Sequence, residues 1–90
     1  MEAGLVQILE GALLAAGEPL SIQRMILLFE EDERPAKEDI RAAIKMVEER
    51  CEDRGYELVQ VASGYRFQVR HDLAAWVGRL SQERPARYSR

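Results

Sequence analysis

Between Glu10 and Ser21 the chain ends one helix, turns a corner and starts another, and this corner limits the folds open to the rest. Leu5, Leu9, Ala12, Leu13 and Ala16 recur at three- and four-residue spacing, which puts them on one stripe of a helix. Gly17 follows where that helix must stop, because a residue without a Cβ adopts the left-handed conformation at little cost. Pro19 pushes Glu18 out of the helical region, so Glu18-Pro19-Leu20 is extended. Ser21 then suits the N-cap of a helix beginning at Ile22, its hydroxyl accepting from a free amide of the first turn. The corner therefore reads helix, brief strand, helix.

The first helix is expected from about Ala3 to Ala16, with Leu5, Ile8, Leu9, Ala12, Leu13 and Ala16 facing a core and Val6 at its margin. Gln7, Gly11 and Leu14 fall on the strip that this core does not need. The second helix is expected from Ile22 to about Glu30. Its run Met25-Ile26-Leu27-Leu28-Phe29 is apolar all round, which predicts a surrounded helix. Glu30 to Arg34 is a solvated acidic loop, and Pro35 suits the first turn of a third helix. That helix should run from Ala36 to Arg54 on Ile40, Ala43, Ile44, Val47 and Cys51, with Gly55 as its C-cap. Glu38 and Asp39 at its start and Arg50 and Arg54 at its end agree with the helix dipole.

A hairpin comes next, Tyr56 to Val61 and Tyr65 to Val69 around Ala62-Ser63-Gly64. A two-residue loop sets Val59 and Val61 on the face of Arg66 and Gln68. A three-residue loop with Gly64 left-handed sets them beside Tyr65, Phe67 and Val69. The second segregates apolar from polar residues and is the expected register; it leaves Leu58 on the outer face with Arg66. Leu73, Trp76, Val77 and Leu80 then form a clean helical stripe from about Asp72 to Leu80, expected to dock on the core.

Charge and chemistry narrow the function. Residues 1–69 carry 14 acids against 8 bases, and residues 70–90 carry 2 against 5, so the body is a poor binder of generic polyanions. No apolar run reaches the length of a membrane span, and the acidic Glu2 argues against a signal peptide. The lone Cys51 has no disulfide partner and fits a reducing cytoplasm. His71 lacks any Cys or His companion for a metal site. There is no nucleophile with a base, no phosphate-cradling glycine loop and no paired metal ligands, so no enzyme, metal or cofactor is expected.

Three helices, a tight hairpin and a closing helix, with Pro19-Leu20 able to add a short third strand, describe an α+β fold, a winged helix-turn-helix over residues 1–80. The residues also resemble a family. Glu10-Gly-Ala-Leu-Leu-Ala-Ala-Gly-Glu-Pro-Leu20 is similar to the E-A-L-L-F-A-S-G-E-P-L signature of the segregation and condensation protein B family, accessory subunits of bacterial SMC–kleisin complexes. Arg54-Gly55-Tyr56-Glu57-Leu58-Val59-Gln60-Val61 with Gly64-Tyr65-Arg66-Phe67 looks like that family's R-G-x-x-L-x-x-V…G-Y-R wing. Asp72 to Val77 resembles the helix after the wing, and Tyr88-Ser89-Arg90 the start of a second winged helix. Gly11, Ala15 and Arg70-His71 depart from the pattern. Residues 81–90 are then expected to be a linker towards a second winged-helix domain that this chain lacks.

The resemblance implies a non-enzymatic subunit of a condensin-type complex. Such a protein binds the kleisin, reaches the SMC ATPase through it, forms a homodimer and acts in chromosome condensation and segregation in the cytoplasm, at the nucleoid. The rival expectation is a DNA-binding winged-helix regulator, whose third helix enters the major groove. Six acids against five bases on that helix argue otherwise: Lys37, Arg41 and Lys45 make a basic stripe, yet Glu48, Glu49 and Glu52 continue it, and the wing offers only Arg66. Gln7, Gly11 and Leu14 on the first helix and Leu58 and Arg66 on the outer wing are the candidate protein-interface positions, for the kleisin or for a second copy.

Overall fold

The computed structural model describes residues 4–80. Helix α1 spans Leu5–Ala16, α2 Ile22–Ile26 and α3 Lys37–Arg50, with a 3-10 turn at Glu31–Glu33 between α2 and α3. Strands β1 (Tyr56–Val61) and β2 (Gly64–Val69) form an antiparallel hairpin. A 3-10 turn at His71–Leu73 leads into α4, residues 74–80. The expected start of α1 at Ala3 and the linker at 81–90 lie outside the described residues.

The corner forms as its residues dictate. Gly17 closes α1 at φ 70°, and the Ser21 hydroxyl accepts from the Arg24 amide at 3.1 Å. Between them Leu20 pairs with Tyr65, each donating its amide to the other's carbonyl at 2.8 Å, so the expected third strand is present as an isolated bridge. Leu9 and Leu13 of α1, Leu20, Met25 of α2, Ile40, Ala43, Ile44 and Val47 of α3, and Leu58 of β1 make one core. Leu9, Met25, Ile40 and Val47 are fully buried, each stabilising the fold by about 1.5–3 kcal/mol in transfer free energy. The α3 stripe is as the spacing implied, Cys51 included.

Four expectations need correction. Helix α2 is shorter than the apolar run, because after Ile26 the amides of Leu28 and Phe29 turn back to Met25 and Ile26 in 3-10 fashion. Packed on α3 and not enclosed, it leaves Leu27 and Leu28 exposed.

Second, α3 ends at Arg50, and Gly55 is not left-handed. The end is closed by Arg70: its Nη2 donates to the Cys51 carbonyl at 2.6 Å, its Nε to the Arg54 carbonyl at 2.8 Å and its Nη1 to Glu57 Oε1 at 3.3 Å. Gly55 instead leaves room for Leu73, since a Cβ there would lie 3.1 Å from Leu73 Cδ1 and push that side chain aside.

Third, the hairpin has a two-residue loop, with Val61 opposite Gly64 and Leu58 opposite Phe67. Leu58 faces inward at 7% exposure, and Val59 and Val61 share the other face with Arg66. The reason lies outside the hairpin. Gly64 sits at φ 143°, where an added Cβ would come within 2.6 Å of the Ser21 amide and closer still to the Leu20 carbonyl. The Leu20 backbone crosses there and claims Tyr65, which fixes the face that turns inward.

Fourth, α4 does not dock on the core. Leu73 is half-buried on Gly55, but Trp76 is 63% and Leu80 66% exposed.

Four substitutions at three positions test this account by urea unfolding. Gly64→Ala should cost at least about 2 kcal/mol, through the clash with Leu20 and the positive φ, whereas Gly11→Ala, with open space around it, should stabilise by about 0.5–1 kcal/mol. Arg70→Met should cost about 1 kcal/mol by removing a charged donor from two carbonyls, of which Cys51 keeps the Arg54 amide and Arg54 is open to water, and Arg70→Lys should not restore it, because one ammonium cannot reproduce the fork.

Candidate interaction surface

Because Leu9 and Leu13 take the inner stripe of α1, Leu14 must point outward, and it is 72% exposed. The hairpin register brings the open end of the inner sheet face beside it. Two adjoining hollows result. One, of about 350 Å³, is lined by Leu13, Leu14, Pro19 and Phe67, with Glu18 and Arg66 at its rim. The other, of about 110 Å³, lies among Glu10, Leu14, Arg50, Cys51, Tyr56 and Phe67. Leu14 and Phe67 belong to both, so Leu14 is an apolar ridge between two depressions of mixed polar and apolar lining. Tyr56 stacks edge-on against Phe67, ring centroids 5.4 Å apart at 81°, which holds both rings in place.

The rim is charged. Glu18 pairs with Arg24 at 2.9 Å in the open, and the half-buried Glu10 pairs with exposed Arg50 at 3.5 Å, both of small energetic weight. Arg66 donates only to the Gln68 side-chain oxygen at 3.3 Å and has no carboxylate partner among the described residues. Apolar side chains such as Leu14 and Phe67 beside an unpaired guanidinium can hold an aliphatic side chain and an acid together.

Of the sequence-derived candidates, the structure brings Leu14 and Arg66 to one hollow. Gln7 lies nearer the start of α1, on a separate shallow groove of about 590 Å³ that includes Asp39, Met46 and Arg50. Gly11 is exposed between them with open space above it. Leu58 is beneath the surface, in contact with the core. Tyr56, Phe67 and Pro19 were missed; the correct hairpin register is the signal that would have grouped the two aromatic rings with the Leu14 strip.

Other chemistry is thin. No group of three or more metal-ligating side chains occurs among the described residues, and His71 is exposed at its 3-10 turn. Cys51 is buried with its Sγ 3.3 Å from the Val47 carbonyl. Burial pushes its thiol above the ordinary value of 9.0, although the nearby Arg70 charge opposes this. The folded state thus favours the neutral thiol. Its contribution to stability is complete below the unfolded value and is lost as pH rises past it towards the folded value. Unfolding midpoints measured from pH 7 upward should decline above about pH 9, and Cys51→Ala should make that decline shallower.

A family model described as segregation and condensation complex subunit ScpB matches residues 7–90. The chain is 42% identical over 83 residues to a segregation and condensation protein B homolog of Coxiella burnetii, covering 92% of this chain and 40% of that relative. It is 36% identical over 83 residues to segregation and condensation protein B of Syntrophotalea carbinolica, covering 92% of this chain and 41% of that one. The chain therefore spans about two-fifths of the length of the curated relatives it matches.

Among solved structures, it is similar to a dimer of the ScpB N-terminal domain complexed with ScpA peptide, at TM-score 0.73 and 24% identity, over 83% of this chain and 91% of that one. It is also similar to ScpB from Mycobacterium tuberculosis, at TM-score 0.76 and 22% identity, over 92% of this chain and 52% of that one. These likenesses establish the fold, a winged helix.

Proposed function

Because the chain belongs to the segregation and condensation complex subunit ScpB family, we propose that it is a non-enzymatic accessory subunit of a bacterial SMC–kleisin complex. In this reading it binds the kleisin, meets the SMC ATPase through it, and self-associates. It serves chromosome condensation and segregation in the cytoplasm, at the nucleoid. The observation that carries the reading is the Leu14 ridge with its two hollows and Arg66 beside them. The relative whose N-terminal domain is seen as a dimer with ScpA peptide supports both kinds of contact. Residues 81–90 would lead to a second winged helix, consistent with the greater length of the relatives.

The kleisin segment is assigned to the Leu14 face. Leu14, Arg66 and the exposed edge of Phe67 and Tyr56 make the contact, Gly11 and Gln7 extend it along α1, and Leu58 supports Phe67 from below. A concave surface of mixed polar and apolar lining suits an extended or helical peptide, which can insert side chains that a flat surface cannot take. Direct DNA binding fits the molecule poorly. Exposed Lys37, Arg41 and Lys45 share α3 with exposed Glu38, Glu48 and Glu49, which cancel the counterion-release gain that phosphate binding needs.

Titrating a purified kleisin central fragment by calorimetry tests this. Leu14→Arg and Arg66→Glu should each weaken binding about tenfold or more, with the urea midpoint unchanged because both side chains are exposed. A labelled duplex should not be shifted by the unmodified chain at physiological salt. Full kleisin affinity in both variants, with folding intact, would remove this face from the complex.

A further inference from the structure

We propose that Arg70 is a positioning residue of the peptide site: it touches no ligand, and it holds in place the wall of the smaller hollow against which the ligand packs. This rests on the reading of the Leu14 face as the kleisin site, and it adds to that site a residue that lines neither hollow.

The wall has little to hold it by itself. On one side the smaller hollow is bounded by Arg50, Cys51 and Tyr56. Arg50 is the last residue of α3 and Tyr56 the first of β1, so this side is a helix end, a turn and a strand end. The turn's own backbone bonds are local. The amides of Cys51, Glu52 and Arg54 each reach back three residues, to the carbonyls of Glu48, Glu49 and Cys51. None of these bonds ties the turn to the hairpin.

Arg70 makes that tie. Its guanidinium donates to the Cys51 carbonyl at 2.6 Å, to the Arg54 carbonyl at 2.8 Å and to Glu57 Oε1 at 3.3 Å. Its amide donates to the Gly55 carbonyl at 2.9 Å. Cys51, Arg54 and Gly55 precede Tyr56 and Glu57 follows it, so these bonds bracket the residue whose ring forms the wall. That ring stacks edge-on against Phe67, which belongs to both hollows. A planar fork can serve three acceptors in one fixed geometry, whereas a lysine ammonium is a compact donor on a flexible stem. A site whose wall is fixed beforehand loses less freedom on binding, so the clasp acts on affinity.

Calorimetric titration with the purified kleisin central fragment tests this, with far-UV circular dichroism reporting folding in the same buffer. Arg70→Met should weaken binding about fivefold in the folded chain. Arg70→Lys should weaken it nearly as much, because charge alone does not hold the wall, and it gives the same reading if the methionine variant does not fold. Ile40→Val removes one methyl from the core and alters the lining of neither hollow, so it should lower stability and leave affinity unchanged.

Double variants place the effect. Arg70→Met and Tyr56→Ala should together cost less than the product of their separate losses, since both act through one wall. Arg70→Met and Arg66→Glu should multiply, since Arg66 rims the other hollow.

Unchanged affinity in folded Arg70→Met would overturn the proposal and leave the Leu14 face standing. Full affinity in Arg70→Lys would show that charge acts and the fork does not, and would overturn it as well. An equal loss in Ile40→Val would reduce Arg70 to a stabiliser of the fold. Failure of the folded, unmodified chain to bind the fragment would overturn the reading of the Leu14 face and this proposal with it.

Discussion

The contact on which the rest of the molecule depends is the crossing of Leu20 over the hairpin. Two short backbone hydrogen bonds join Leu20 to Tyr65, and Gly64 has no Cβ that could keep the two chains apart. Backbone hydrogen bonds are individually modest in net energy, but a steric crossing of this kind is nearly all-or-none. It ties the corner after α1 to the wing, fixes which face of β2 turns inward, and thereby puts Phe67 under Leu14. The core, the register and the interaction surface are three results of one approach between two peptide segments.

This explains which parts of the structure could be read from the chain. Local signals were sufficient where the determining partner is local. Gly17 ends α1, Ser21 caps α2, and the α3 stripe from Ile40 to Cys51 is buried, because spacing and side-chain chemistry decide these within a turn or two. The hairpin register failed for the opposite reason. Segregating Val59 and Val61 with Phe67 is the better pattern within the hairpin, but Gly64 answers to Leu20, more than forty residues earlier. Likewise a glycine after a long helix suggests a left-handed cap, whereas Gly55 makes room for Leu73 and the capping falls to Arg70 from beyond the hairpin. Periodicity also marks α4 correctly as amphipathic without telling what its apolar side meets.

The candidate surface was legible to the same extent. Leu14 follows from helix spacing alone, as the outward leucine of a stripe already satisfied by Leu9 and Leu13. Arg66 follows as the wing's one exposed cation. Their meeting across one hollow does not, because it depends on the register, and with it came Tyr56 and Phe67, which no spacing argument grouped with α1. Leu58 shows the converse: once the register is set, it becomes a support beneath the surface and not a contact upon it.

Arg70 has a consequence of a mechanical kind. It stands where the body passes into α4, and its guanidinium is bonded to the Cys51 and Arg54 carbonyls while its own amide holds Gly55. A pull on the chain beyond α4 therefore meets α3 first, at a junction where several hydrogen bonds must break together, and the load does not travel through the turn at Ala62-Ser63. Hydrogen bonds loaded in concert resist far more than bonds opened one after another. The smaller of the two hollows borders this junction through Arg50 and Cys51, so tension arriving from α4 reaches one edge of the Leu14 face directly.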